Sequence, residues 1–425
     1  MAPSWLALAL FAGAYALFVL FPRRRSVVAV AAAALAVATG AAPWRAALVE
    51  YISWNVLLLF FGTLVLAELF MQSRMPAVLA EWMLVRARTG TGAMLAICAL
   101  ASAMSIVLEN VAVVLLVAPV ALSLCRKLGV SPVRLLILIA ICSNLQGTAT
   151  LIGDPPSMIL AGSMKLSFND FFIHRGRPSI FFVVQAGAVA SFAIAAFLLR
   201  RHRAPMDVVA VERPRSLVPT VLLAMLVLGL TTTHRFDPDF RWMAGALAMG
   251  LGLVGVLWYR RVPHWGRVGD LVRTLDWDTT FFLAGVFVLV GCLGRSGWLE
   301  RLAEAMAGWA GGSLGRAFLL ILGLSVAVSG FVDNVPFLAA MIPVTRSIAG
   351  HVGAAEPALL LFGLLVGSCL GGNITPIGAS ANVVAIGLLR REGYPVGFGE
   401  FVRVGLPFTL AAVAAGGAVL WWIWR

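Results

Sequence analysis

Residues 54–410 carry the same set of signals twice, and each time a carboxylate lies inside an apolar stretch of membrane-spanning length. Ser105-Ile-Val-Leu-Glu109-Asn110-Val is followed by Pro119, and Ser329-Gly-Phe-Val-Asp333-Asn334-Val by Pro343, at a constant offset of 224 residues. Upstream, Trp54, Gly62 and Ser73 match Trp277, Gly285 and Ser296 at an offset of 223. Downstream, Ser143 and the run Gly147–Gly153 match Ser368 and the run Gly372–Gly378 at an offset of 225. An offset that drifts by only two residues across three blocks points to internal duplication. In a membrane chain, duplication places the working site where the repeats meet.

Composition fixes the solvent. Hydrophobic residues make up 61% and charged residues 12% of the chain, against about 45–50% and about 25% in soluble domains. At 425 residues there is room for about ten spans of roughly 20 residues each with their connections. The net charge of +13 comes from arginines placed between apolar runs. It reads as membrane topology and lipid headgroup contact, not as a nucleic-acid surface. The five cysteines (Cys98, Cys125, Cys142, Cys292 and Cys369) lie in or beside apolar segments without metal-ligand spacing, so they read as free structural thiols.

Spanning runs are expected near 4–22, 26–43, 49–70, 133–165, 179–199, 216–232, 242–259, 277–294, 356–388 and 404–424. Two longer runs, 92–124 and 315–347, each carry their acidic residue near the middle, which suits a helical hairpin that enters the membrane and returns. With Arg23–Arg25 inside, the arginine-rich connections sort to the cytoplasm, which leaves both termini outside and suggests a bacterial inner membrane. The expected fold is therefore an all-α polytopic membrane protein made of two five-span halves. Each half holds one re-entrant hairpin and one broken helix. Because five is odd, the halves run in opposite directions through the membrane. The first repeat covers 1–199, a polar linker 200–215, and the second repeat 216–425. Segments 74–88 and 295–309 occupy equivalent places and read as interfacial arms.

Glu109 and Asp333 are the first candidates for chemistry. A carboxylate at mid-membrane depth costs about 2.5–3.5 kcal/mol on insertion scales. Two at matching positions, followed by Asn110 and Asn334, suit proton or cation coupling. They can also cap the helices that follow them. The second constellation interrupts two long apolar runs with glycine, proline and small polar residues. It comprises Ser143, Asn144, Gly147, Thr148, Thr150 and Gly153 in the first half, and Ser368, Gly372, Asn373, Thr375, Gly378, Ser380 and Asn382 in the second. Such breaks free backbone polar groups and are tolerated only where they line a cavity or are buried in protein. These residues are the expected substrate contacts, and leucine at Gly153 or Gly378 is expected to block transport without unfolding the chain. Asp154 has no acidic counterpart, because Ala379 stands there. It suits either a coupling cation or a cap for the helix that starts at Pro155. No nucleotide-binding glycine motif occurs in a soluble context. Neither a resident cofactor nor a metal ligand set is expected, and the chain does not read as an enzyme.

The runs Gly147–Pro156 and Gly371–Val383 resemble the ion transporter superfamily, and look closest to its arsenite permease, sodium–proton antiporter and P protein-like branch. Glu109-Asn110 and Asp333-Asn334 are similar to that branch's hairpin-tip Asp-Asn pairs, with Glu replacing Asp in the first. Residues 393–407 are also similar to the P-protein group. The resemblance implies a secondary ion transporter with a scaffold part, often dimeric, and a transport part that moves like an elevator. Acidic tips favour a proton-coupled antiporter that exports a small inorganic ion, either a metalloid such as arsenite or sodium, with H+ as coupling ion and Na+ as its alternative. The competing expectation is a cation-coupled importer of a dicarboxylate or inorganic anion. The expected partners are the ion, the lipid bilayer and a second copy of the chain.

Overall fold

The computed structural model describes residues 5–21, 24–200, 213–262, 265–354 and 356–425. Most of the 200–215 linker thus lies outside the described residues, as do His202 and His264. The first half runs α1 (Trp5–Leu20), α2 (Arg25–Ala38), α3 (Trp44–Ala46) continuing into a π-helical turn (Ala47–Tyr51), α4 (Trp54–Gln72) and α5 (Met75–Val85). It goes on through α6 (Gly90–Ser105), α7 (Asn110–Leu128), α8 (Val133–Gly147) and α9 (Pro155–Met164). The antiparallel pair β1 (Ile173–His174) and β2 (Arg177–Pro178) then leads to α10 (Ile180–Leu199). The second half comprises α11 (Val218–Thr233), α12 (Met243–Arg261), α13 (Val268–Thr274), α14 (Trp277–Arg295) and α15 (Trp298–Ala310). It ends with α16 (Leu314–Ser329), α17 (Asn334–His351), α18 (Ala358–Gly371), α19 (Ser380–Arg391) and α20 (Phe398–Trp424).

Among the described residues, α4, α7, α10, α12, α14 and α20 are long and apolar enough to cross a membrane. Several other apolar helices, α1, α2 and α11 among them, have 10–17 residues. The two long acidic runs each divide into two helices at the carboxylate, between α6 and α7 and between α16 and α17. In each pair both helices pack on the next long helix, α8 or α18. One difference from the sequence reading is that α7 is by itself long enough to cross a membrane.

The duplication is visible in local structure. Thr89 caps α6 by accepting from the Gly92 N–H at 3.1 Å, and Ser313 caps α16 from the Arg316 N–H at 3.4 Å. Each cap satisfies one of the N–H groups that a helix start leaves without a partner. Gly62 of α4 sits against the backbone of Ala248 in α12, and its equivalent Gly285 of α14 sits against the backbone of Ala29 in α2. A side chain at either glycine would meet main chain, so both positions need a hydrogen there for the helices to approach. The partners are crossed over: each half's α4-type helix packs on the other half's α2-type helix. The two sequence repeats therefore interlock.

Packing sorts the helices into two groups. The first contains α1, α2, α4 and α11–α14, and the second α6–α10 and α16–α20. Helices α5 and α15 touch both groups, as expected for segments 74–88 and 295–309. α15 buries Leu299, Ala303, Met306 and Ala310 along one face, the spacing of an amphipathic helix.

Candidate functional site

The second group contains two breaks with one design. α8 ends at Gly147 and α9 starts at Pro155, while α18 ends at Gly371, passes through a 3-10 turn and resumes as α19 at Ser380. Each break is clipped to the adjacent hairpin tip by a threonine hydroxyl: Thr150 donates to the Ile106 carbonyl, and Thr375 to the Gly330 carbonyl. Gly153 lies against the backbone of Gly147 and the Ser105 carbonyl, and Gly378 against the backbone of Gly372 and the Ser329 carbonyl. Proline and glycine end the helices, and the hydroxyls meet acceptors that the tips leave open.

A core of buried amides joins the two breaks. Asn144 Nδ2 donates to Asn373 Oδ1 at 2.9 Å and to Asn382 Oδ1 at 3.1 Å. Asn382 Nδ2 reaches the carbonyls of Gly372 and Thr375, both at 2.9 Å, and Asn373 Nδ2 reaches the Ile141 carbonyl at 3.2 Å. Ser143 and Ser105 link this layer to the first tip through hydroxyl contacts of 3.0 Å to each other and 2.5 Å to Asn110 Oδ1. Ser368 is buried behind the second tip, where its carbonyl accepts from Ser329.

Helices α7, α9, α17 and α19 all begin at one cavity of about 40 Å3. Three of these N-termini are capped by carboxylates: Glu109 accepts from the Ala112 N–H at 3.1 Å, Asp154 from Ser157 at 3.1 Å and Asp333 from Val335 at 3.0 Å. The fourth, α19, follows Ala379 and has no side-chain cap. All five coupling candidates (Glu109, Asn110, Asp154, Asp333 and Asn334) line the cavity. Of the expected substrate contacts, Asn144 and Ser380 line it as well. Ser143, Thr148, Thr150, Asn373, Thr375 and Asn382 are buried behind it in the amide and hydroxyl layer. Gly147, Gly153, Gly372 and Gly378 sit in close contacts, Gly147 against the Asn110 side chain and the other three against backbone. The expectation that leucine at Gly153 or Gly378 blocks transport without unfolding the chain therefore needs correcting, because even a Cβ there meets main chain.

One residue escaped the sequence reading. Arg25 counts there only as a cytoplasmic charge, yet its guanidinium reaches into the cavity from the start of α2. It donates to Asp278 Oδ2 at 3.0 Å, Asp333 Oδ2 at 2.8 Å, Ser380 Oγ at 3.0 Å and Thr279 Oγ1 at 2.8 Å. It also lies 5.0 Å from the centroid of Phe282. Asp278 accepts from Ser26 as well, so α14 holds the start of α2 twice. A sequence signal did exist, since Asp278 stands where the first half has Asn55, a further carboxylate in the first turn of an apolar helix.

Broken helices aimed at a small charged cavity inside an apolar helical bundle define a membrane transporter. A family model described as citrate transporter matches residues 15–262 and 242–425, and the chain belongs to that family, within the ion transporter superfamily. An uncharacterized transporter of Mycobacterium tuberculosis, Rv2685, is 33% identical over 385 residues, covering 87% of this chain and 86% of its own. The human P protein is 27% identical over 500 residues, covering 97% of this chain and 59% of its own length. The crystal structure of the Alcanivorax borkumensis YdaH transporter shares the fold, with a TM-score of 0.58 at 16% identity, over 91% of this chain and 87% of that one.

Proposed function

We propose that the protein is a proton-coupled antiporter that exports a small inorganic ion, either a metalloid such as arsenite or sodium. The observation that carries this reading is the cavity: Glu109, Asp154, Asp333 and Arg25 surround only about 40 Å3. A water needs roughly 10–15 Å3 by such a measure, so this conformation has room for a few waters or one small ion. Carboxylates inside a membrane mark proton and cation pathways. Alternating access follows if α6–α10 and α16–α20 slide as one unit against α1, α2, α4 and α11–α14, with α5 and α15 as the connecting arms. In this scheme the halves are inverted, both termini lie outside a bacterial inner membrane, and the second helix group forms no part of the homodimer contact.

Arg25 and the uncapped start of α19 favour a second reading, cation-coupled import of a carboxylate or inorganic anion. A guanidinium beside a free helix N-terminus is a natural anion cradle, and the family description names citrate. Flux in proteoliposomes across arsenite, sodium, chloride, succinate and citrate, under an imposed pH gradient, separates the two. Arsenite or sodium moving against protons supports the antiporter. Uptake of succinate or citrate driven by an inward cation gradient, without either exchange, replaces it with the importer. Cysteines introduced into the two hairpins test the inversion, which requires that they label from opposite sides.

A further inference from the structure

The two hairpin tips are equivalent in sequence but not in their partners. Asp333 is tied by Arg25 to Asp278 and Thr279 of α14, so a single guanidinium joins the second tip and α19 to the α2–α14 pair. That contact runs from one helix group to the other. Glu109 accepts from its own helix and, among the described residues, has no ion-pair partner within 4.0 Å. Among the described residues the first half makes no such tie. Counting back from the matched contacts Gly62–Ala248 and Gly285–Ala29, the position equivalent to Arg25 is Ala244. The residue equivalent to Asp278 is Asn55, whose amide is spent on the Phe240 carbonyl at 2.9 Å and the Gly245 N–H at 2.7 Å.

We propose that Arg25 is a tethered counter-ion for the second tip, so that Asp333 serves as a docking charge while Glu109 alone carries the exchanging proton. This rests on the antiporter reading above and divides its labour. A guanidinium with two carboxylates and two hydroxyls around it stays charged. Asp333 Oδ2, held by that guanidinium at 2.8 Å, is already engaged in a charge-assisted hydrogen bond. Asp333 is then released only when Arg25 lets go, which makes the pair a latch between the two helix groups in this conformation. Glu109 shares the cavity wall with Asp154, Asp333 and Arg25, and the charge of Asp276 acts on it from outside that wall. It is the tip carboxylate free to change its proton without breaking an ion pair. Ser380, the remaining partner of Arg25, places the start of α19 under the same control.

The test is the number of protons moved per transported ion in proteoliposomes, measured beside the initial rate. Glu109→Gln is expected to lose the coupled proton. Asp333→Asn is expected to keep the wild-type ratio at a reduced rate. Arg25→Gln, which strands Asp333 and Asp278 without their cation, is expected to slow transport at least tenfold, and Arg25→Gln with Asp333→Asn to recover at least tenfold over it. Loss of the coupled proton in Asp333→Asn overturns the assignment, as does a folded double variant no faster than Arg25→Gln. If Arg25→Gln does not survive purification, the ratio in Asp333→Asn decides alone. A wild-type protein that moves none of the ions against protons sinks the antiporter reading itself, a result distinct from either of these.

Discussion

The first hairpin tip and the second are built from one pattern, and they are held in different ways. In the first half, Asn55 at the head of α4 grips the start of α12 through backbone groups of Phe240 and Gly245, and Asp237 caps that start with contacts of 2.8–2.9 Å to the N–H groups of Arg241, Trp242 and Met243. Among the described residues no ion pair runs from there to Glu109. In the second half, Asp278 at the head of α14 grips the start of α2 through side chains, and the arginine it recruits goes on to Asp333. The duplicated scaffold thus keeps the contact and changes its chemistry from neutral amide to ion pair. Two symmetric halves need not bind two identical ligands.

The sharpest way to break this comparison is at Glu109. Glu109→Gln is nearly isosteric and should bring ion flux driven by an imposed pH gradient down to the level of empty vesicles, leaving only uncoupled downhill flux, while the protein still elutes as a single species. Next in size come Gly153→Leu and Gly378→Leu. Both positions abut main chain, so the variants should misfold instead of merely excluding substrate, and fluorescence-detected size exclusion reports it. Gly→Ala at the same positions should still cost about 1–3 kcal/mol from overpacking. Equal effects at the two glycines would confirm that the breaks are structurally alike where the tips are not.

Asn382→Ala should be milder. It removes the donor to two buried carbonyls and the acceptor for Asn144, at about 1–3 kcal/mol for each group left unpaired, read as a lower melting temperature in detergent. Asn55→Asp sharpens the contrast between halves: it gives the first half the second half's carboxylate without an arginine to meet it. One oxygen would then face the Phe240 carbonyl, and the melting temperature should fall, whereas Asn55→Ser should fall less. The smallest effect belongs to the Arg126–Glu392 surface pair. The arginine side chain is 69% exposed, so Arg126→Ala should shift stability by about 1 kcal/mol or less.

Much of this fold could be read from residue order. The repeated offset located both hairpin tips and both broken helices. Glycine and proline fixed where α8 and α18 stop, and the arm helices fell in the segments where charge mixes with apolar residues. Glu109, Asp154 and Asp333 could be recognised both as caps and as candidate coupling groups, since a carboxylate just before an apolar helix suits either role. The lining of the cavity was less legible. From sequence, every small or polar residue at a break looks like lining, but a break must also pay for its own backbone groups. Thr150, Thr375, Asn373 and Asn382 are used for that, which leaves Asn144 and Ser380 at the cavity.

The sequence by itself determined that the chain is a duplicated membrane protein with carboxylates at matched internal positions. Those facts follow from local rules, apolar run length, helix breakers and charge placement, which act within a few turns of the chain. Only the tertiary structure decided which carboxylate has a partner. Arg25 lies 308 residues from Asp333 and 253 from Asp278, and in sequence it looks like any other loop arginine. The crossed packing of α2 on α14 brings the three together, and a pairing across that distance depends on how whole helices stack rather than on any signal near the arginine itself.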